Sequence, residues 1–143
     1  MARVGLLEDN TRIAKLCVTM LNYAGHDVML YMDAQECLQA LAVVDLFTLP
    51  PAKGLGERSP LPIDVLILDL HLPTMPGLEV LQRLRSHPRT SMLPLIFCTA
   101  APISEINLAL TIAPDAMLVE KPFKLQTLVT AISESLMPES QTS

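Results

Sequence analysis

The sequence has few aromatic residues: two Tyr, three Phe and no Trp among 143 residues. Half of the residues are nevertheless hydrophobic, so aliphatic side chains and Met must fill the core. Clustered cations are missing as well, and ten basic residues against fifteen acidic ones give a net charge of −5. Because phosphate contacts need clustered Lys and Arg, this composition argues against direct binding of nucleic acid.

Other absences narrow the class of protein further. No stretch reaches the roughly 18 apolar residues that a membrane span requires, and the N-terminus has no signal-peptide pattern. We therefore expect a cytoplasmic protein without membrane insertion. Cys17, Cys37 and Cys98 are odd in number and lack metal-ligand spacing, so we expect reduced and mostly buried thiols. The absence of a Gly-x-x-x-x-Gly-Lys loop excludes a P-loop enzyme.

Apolar runs of strand length alternate with segments of helical periodicity along the chain. The predicted strands are 3–8, 26–31, 63–68, 93–98 and 117–119. The predicted helices are 11–24, 33 to about 44, 78–86, 104–113 and 125–136. Gly25 is expected to end the first helix, and Asp33 and Ser104 are expected to cap the second and fourth. Because the strands are apolar throughout, they predict a parallel sheet with helices on both faces.

This pattern predicts one α/β domain over 1–137, followed by a polar tail at 138–143. A long connection at 46–62 interrupts it before the third strand. That connection contains four Pro and two Gly, which is typical of a loop.

Polar side chains follow four of the predicted strands, at the edge where open parallel sheets place their chemistry. Glu8 and Asp9 follow the first strand, Asp69 the third, Thr99 the fourth and Lys121 the fifth. Three carboxylates in one crevice repel each other, and a hard cation such as Mg²⁺ relieves that repulsion. A lysine and a hydroxyl can bind phosphoryl oxygens. The set predicts a Mg²⁺-dependent phosphoryl site in which the third-strand aspartate is the nucleophile.

Four segments together resemble the signatures of the receiver domain of two-component response regulators, the CheY-like family. They are Leu-Glu-Asp-Asn at 7–10, VLILDLHLPTMPG at 65–77, PLIFCTA at 94–100 and Lys-Pro-Phe at 121–123. The resemblance covers almost the whole chain. It implies a doubly wound, flavodoxin-like (βα)5 fold with the sheet order 2-1-3-4-5.

The resemblance also implies a role for each matching residue around the metal. Asp69 would be the phosphoacceptor, and Asp9 and Asp69 would bind Mg²⁺ directly. Glu8 would act on the metal mainly through a water molecule. The backbone carbonyl of His71 would be the third protein ligand.

On the phosphoryl side, the resemblance implies that Thr99 and Lys121 contact the phosphoryl oxygens and that the Lys121–Pro122 bond is cis. The donor would be a phosphohistidine on a histidine kinase or a phosphotransfer protein. Phosphorylation would switch a surface that binds a downstream protein target, and homodimerisation through the same surface is an alternative. Such a domain catalyses only its own phosphorylation and dephosphorylation, so it is not an enzyme in the usual sense.

Three features depart from the family pattern. Leu118 stands three residues before the lysine, where the family usually has an aromatic switch residue coupled to Thr99. Pro114 and Asp115 replace a common Gly-Ala pair, and because Pro cannot take a positive φ, this turn must differ locally. The apolar loop at 46–62 either folds onto the body or docks a partner. The first of these features, Leu118, predicts a weaker or differently connected output surface.

Two other classes of function compete with a phosphorylatable receiver. A pseudo-receiver would be an interaction module that never carries phosphate, and Leu118 favours it slightly. A phosphatase of the haloacid dehalogenase type also uses an aspartate at the end of a strand. That family needs a second acid two residues later, where this chain has His71.

Overall fold

A computed structural model describes residues 2–41, 61–72 and 75–137 of the protein. Within these ranges the strands are β1 (Arg3–Leu7), β2 (Asp27–Tyr31), β3 (Val65–Leu68), β4 (Leu95–Thr99) and β5 (Met117–Glu120). The helices are α1 (Thr11–Tyr23), α2 (Ala34–Ala40), α3 (Gly77–Ser86), α4 (Ile103–Ile112) and α5 (Leu125–Ser135). None of the described helices is long and apolar enough to cross a membrane.

The five strands are all parallel and follow the order β2-β1-β3-β4-β5, which confirms the predicted doubly wound α/β fold. Leu7 lies beside Leu68, and Thr99 lies beside Glu120. The residues that follow β1, β3, β4 and β5 are therefore brought to the same edge of the sheet. This register places the polar strand ends close together.

The sheet separates two hydrophobic clusters, because successive side chains of a strand point to opposite faces. Leu66 and Leu68 of β3 pack with helices α2, α3 and α4. Val65 and Ile67 pack with helices α1 and α5. Both faces of β3 are thus covered, which explains its unbroken run of apolar residues. The three cysteines are buried and unpaired, as expected.

The structure confirms the predicted end of α1 at Gly25 and the predicted cap of α2 at Asp33. Gly25 has a positive φ of 96° just after α1, a conformation that is easily reached only by glycine. Asp33 caps α2, because its side chain accepts a hydrogen bond of 2.8 Å from the N–H of Glu36. Helix α2 is described only to Ala40, so the predicted continuation to 44 and the loop at 46–60 lie outside the described residues.

The predicted cap of the fourth helix is wrong. Ser104 lies inside α4, and the residue before the helix is Pro102, without a side-chain cap. The carbonyl of Pro102 already accepts hydrogen bonds from the N–H groups of Glu105 and Ile106. The helix therefore begins at Ile103, and the hydroxyl of Ser104 comes too late to cap it.

Three strands start later than predicted: β2 by one residue, and β3 and β4 by two residues each. Residues 63 and 64 precede β3, and Asp64 accepts hydrogen bonds from the N–H and the guanidinium of Arg3. Strand β4 begins at Leu95, since Pro94 has no N–H to donate to the sheet. Strand β5 continues to Glu120, which lies beside Thr99. These shifts leave the carboxyl ends of the strands, and so the site, in the predicted position.

Candidate functional site

Three carboxylates converge at the carboxyl ends of β1 and β3. One oxygen each from Glu8, Asp9 and Asp69 can be chosen so that all three lie within 4.8 Å of one another. Glu8 and Asp69 are only 3% and 8% exposed, whereas Asp9 is exposed. Such close acidic groups repel each other unless a cation compensates their charge.

Lys121 supplies one such cation. Its Nζ donates hydrogen bonds of 2.7 Å to Oε1 of Glu8 and of 2.9 Å to Oδ2 of Asp69. Burial would lower the pKa of Lys121, but its bonds to the two carboxylates outweigh burial and raise the pKa to about 12. The lysine is therefore charged at neutral pH and bridges two strand ends. The Lys121–Pro122 peptide bond before α5 is cis, as expected.

The carboxylate of Asp69 is surrounded by donors. Its Oδ1 accepts hydrogen bonds from Oγ1 of Thr99 (2.9 Å) and from the backbone N–H of His71 (3.0 Å). Burial alone would raise the pKa of Asp69, but the bonds from Lys121, His71 and Thr99 lower it overall. Asp69 is thus ionised at neutral pH and held in one orientation, as a nucleophilic carboxylate must be.

Two buried side chains complete the immediate surroundings. Thr99 is almost fully buried, and its hydroxyl both donates to Asp69 and accepts a bond of 3.1 Å from the N–H of Ala101. Oε2 of Glu8 accepts a bond of 3.1 Å from the N–H of Asn10. The structure therefore brings together all five side chains predicted from the strand ends. The direct contact between Glu8 and Lys121 is additional to the water-mediated metal role that the resemblance implied.

The donor set suits a hard divalent cation. Its ligands would be carboxylate and carbonyl oxygens, which Mg²⁺ and Ca²⁺ prefer to nitrogen or sulfur. Within the described ranges no protein donor binds the carboxylate of Asp9, although it lies beside two other carboxylates. An unpaired carboxylate in an acidic cluster fits a cation ligand. The residues present can therefore hold a metal ion.

Sequence reasoning missed one polar contact at the rim of the site. The side chain of His71 points to α4, where Nε2 lies 2.9 Å from Oε2 of Glu105. This hydrogen bond raises the pKa of His71. Only the acidic character of the first turn of α4 could have suggested it, because the two residues are 34 positions apart.

Leu118 lies apart from these polar contacts. It is 36% exposed and lies beside Phe97 in the sheet. Its side chain has no polar atom, so it cannot hydrogen-bond to Thr99 as a phenol could. Next to it, β5 and α5 border a groove of about 380 Å³, lined by Met117, Gln126, Thr130 and neighbouring side chains.

Comparisons with known proteins agree with this geometry. The family model of the response regulator receiver domain matches residues 4–133. The chain is 33% identical to the transcriptional regulatory protein TrcR of Mycobacterium tuberculosis over 91% of its own length and 43% of that protein. It is 34% identical to the DNA-binding dual master transcriptional regulator RpaA of Synechocystis over 70% of its own length and 34% of that protein. The chain thus spans less than half the length of these relatives.

Solved structures share the fold. A CheY-like receiver domain protein from Methanospirillum hungatei has a TM-score of 0.74 at 21% identity, with 100% of this chain and 99% of that chain covered. The chemotaxis protein CheY4 of Vibrio cholerae has a TM-score of 0.72 at 24% identity, with coverage of 95% and 99%. Together with the family match, the strand order and the polar strand ends, these likenesses lead to one conclusion. The chain belongs to the family of response regulator receiver domains, which are signalling domains rather than enzymes in the usual sense.

Proposed function

We propose that the protein accepts a phosphoryl group on Asp69 in a Mg²⁺-dependent reaction and thereby switches a surface that binds another protein. The observation that carries this proposal is the environment of Asp69. The carboxylate is nearly buried and ionised, and it is bonded to Lys121 and Thr99 within 3 Å, beside two further carboxylates. A carboxylate so oriented is suited to attack phosphorus.

The metal would be held by the carboxylates of Asp9 and Asp69 and by the backbone carbonyl of His71, with Glu8 acting through a water molecule. When bound, Mg²⁺ neutralises negative charge on the phosphoryl oxygens as they are transferred. Lys121 already compensates part of the acidic charge, and together with the bonds from His71 and Thr99 it keeps the pKa of Asp69 below its ordinary value without a metal.

The transfer step follows from the chain's own contacts. An oxygen of Asp69 forms a bond to phosphorus while the bond from phosphorus to the donor nitrogen breaks, and the nitrogen keeps the electron pair. Thr99 and Lys121 now donate to Asp69. After transfer they would donate to the phosphoryl oxygens instead, and the same side chains would sense the new group.

The donor would be a phosphohistidine on a histidine kinase or phosphotransfer protein, and the phosphorylated surface would bind a downstream protein target or a second copy. We treat residues 1–137 as one receiver domain and 138–143 as a tail. The two relatives are named as transcriptional regulators, one of them DNA-binding. For the receiver itself we propose no direct contact with nucleic acid, because its net charge is −5 and it has no cationic cluster.

The experiment is intact-mass measurement after incubation with acetyl phosphate, with and without Mg²⁺. We expect the wild type to gain one phosphoryl group only with Mg²⁺, and Asp69→Asn to gain none. Asp27→Asn is the matched control, since Asp27 is exposed on the edge strand and lies beside Arg3, at the end of the strands opposite to the acidic cluster. Uptake by Asp69→Asn would place the acceptor elsewhere.

A phosphate-independent interaction module is the second candidate function. It is favoured by Leu118, which stands where a hydrogen-bonding ring would connect the phosphoryl site to the output surface in other receivers. In that case the wild type would take up no phosphoryl group from any donor, and Asp69→Asn would bind the partner as well as the wild type does.

A further inference from the structure

We propose that Glu105 is a positioning residue for the metal site: by holding the imidazole of His71, it fixes the backbone of residue 71 so that its carbonyl oxygen can bind the cation. This inference rests on the proposed function, since it concerns the ligand set around Asp69. The juxtaposition that carries it joins two segments, the one that follows β3 and the first turn of α4.

Residue 71 is bonded to the site through its backbone and to α4 through its side chain. Its N–H donates to Oδ1 of Asp69 at 3.0 Å, and its Nε2 lies 2.9 Å from Oε2 of Glu105. An ionised carboxylate can only accept, so the imidazole nitrogen is the donor. The bond from Thr99 to Asp69 connects the ends of β4 and β3 closer to the sheet. The two hydrogen bonds, Thr99 to Asp69 and His71 to Glu105, therefore both connect the segment after β3 to the neighbouring β4–α4 region.

Helix α4 provides a firm anchor for the bond to His71. The N–H groups of Glu105 and Ile106 bond to the carbonyl of Pro102, and Ile106 and Ala109 are buried in the hydrophobic cluster below. Glu105 is therefore carried by a packed helix. The residue before His71 is fixed as well, because the carbonyl of Leu70 accepts a 3.0 Å bond from the N–H of Gly77.

A backbone carbonyl has no rotamer of its own, so only the backbone can aim it at a metal. Holding the side chain of the same residue is a direct means of fixing that backbone. Groups that orient metal ligands in this way typically change metal affinity by about 10–100-fold when they are removed. The side chains of His71 and Glu105 are 58% and 28% exposed, so we expect the lower end, about tenfold.

An exposed ion pair of this kind contributes little to the stability of the fold. This separates a positioning role from a merely structural one. A positioning role predicts weaker Mg²⁺ binding at an unchanged melting temperature. A structural role predicts a lower melting temperature with little change in Mg²⁺ affinity.

The test is Mg²⁺ titration of the full chain, followed by NMR and by calorimetry at constant pH, for the wild type and five variants. We expect Glu105→Ala and His71→Ala each to weaken Mg²⁺ binding about tenfold, and the double variant to be no weaker than either one. His71→Ala keeps the backbone carbonyl, so its effect measures only the loss of the hydrogen bond between the imidazole and Glu105. Glu105→Gln keeps a hydrogen-bonding group, and we expect it to retain most of the affinity.

Glu79→Ala is the matched control for charge. Glu79 is a partly exposed acid in the first turn of α3, but its carboxylate binds Arg83 rather than residue 71. If Glu105→Gln and Glu79→Ala weaken Mg²⁺ binding as much as Glu105→Ala does, charge alone is responsible and the proposal is overturned. Additive losses in the double variant overturn it too. If Glu105→Ala does not fold, Glu105→Gln and His71→Ala still decide the question.

Failure of this inference can be distinguished from failure of the proposed function. If the wild type gains a phosphoryl group with Mg²⁺ while Glu105→Ala binds Mg²⁺ with wild-type affinity, only the positioning role is refuted. If the wild type binds no Mg²⁺ at all, both proposals are refuted.

Discussion

Replacing Lys121 with Met would leave two buried carboxylates, Glu8 and Asp69, without the cation that they share. Removing one partner of a buried ion pair typically costs about 3–5 kcal/mol, because the other partner stays buried and uncompensated. The side chain of Lys121 is 14% exposed, so some water reaches this site. We therefore expect the variant to lose about 2–3 kcal/mol of unfolding free energy at pH 7 without Mg²⁺.

The stability of the wild type and that of Lys121→Met should also depend on pH in different ways. In the wild type the pKa of Asp69 is below its ordinary value, so its contribution to stability is complete above that ordinary value. That contribution is lost as the pH falls through the lowered folded pKa. In Lys121→Met the burial of Asp69 remains while its cation is gone, so we expect the pKa of Asp69 to be higher than in the wild type. A higher folded pKa means that protons bind the folded state more tightly, so the difference in stability between the wild type and the variant should shrink as the pH falls from 7 towards 4.

The measurement is urea unfolding followed by far-UV circular dichroism, since the chain has no Trp, between pH 4 and 7 with a chelator present. Lys15→Met is the matched control, because Lys15 is an exposed lysine of α1. Adding Mg²⁺ should restore part of the stability that Lys121→Met loses. Equal stability of wild type and variant at pH 7, or parallel pH profiles, would refute the reasoning.

Substitutions at three further positions test two close backbone approaches and one helix cap, and each is checked by urea unfolding. Gly77→Ala would place a Cβ 2.5 Å from Cα and 2.6 Å from O of Leu70, which are backbone atoms that cannot rotate away, so we expect a loss of about 2–3 kcal/mol and weaker Mg²⁺ binding. Gly5→Ala would meet the Cδ1 of Ile63 at 2.6 Å, the end of a flexible side chain, and should cost less than about 1.5 kcal/mol; a larger loss than for Gly77→Ala would contradict this comparison. Asp33→Ala removes the cap of α2 and should lower the free energy of unfolding by about 1 kcal/mol. Asp33→Asn keeps a capping oxygen and should retain most of the stability of the wild type.

Much of the fold could be predicted because it depends on patterns that are repeated along the chain. The unbroken apolar run at β3 is buried on both faces, and that is a property of parallel sheets. Once the strands are parallel, Asp69, Thr99 and Lys121 must meet at one edge. The order of the strands in the sheet cannot be predicted from periodicity. It follows only from the resemblance to a known family.

The details that could not be predicted depend on contacts between distant parts of the chain. Ser104 has the chemistry of a helix cap, yet the carbonyl of Pro102 accepts the first helical bonds and starts the helix earlier. The bond between His71 and Glu105 joins the segment after β3 to the first turn of α4, and no spacing rule connects the two residues. Asp64 is held by Arg3 ahead of β3, so the strand starts two residues after the apolar run begins.

The bond between Lys121 and Glu8 spans 113 of the 143 positions of the chain. A contact of this separation forms only after the intervening chain has been ordered, because closing so long a loop costs conformational entropy that local contacts do not repay. We therefore expect the cation to reach the acidic cluster late in folding, when β5 joins the sheet beside β4. During synthesis, Glu8 and Asp69 would lack their lysine until residue 121 has emerged from the ribosome. The ability to bind a phosphoryl analogue would then report complete folding, and a truncated chain would lack it even if its first four strands were formed.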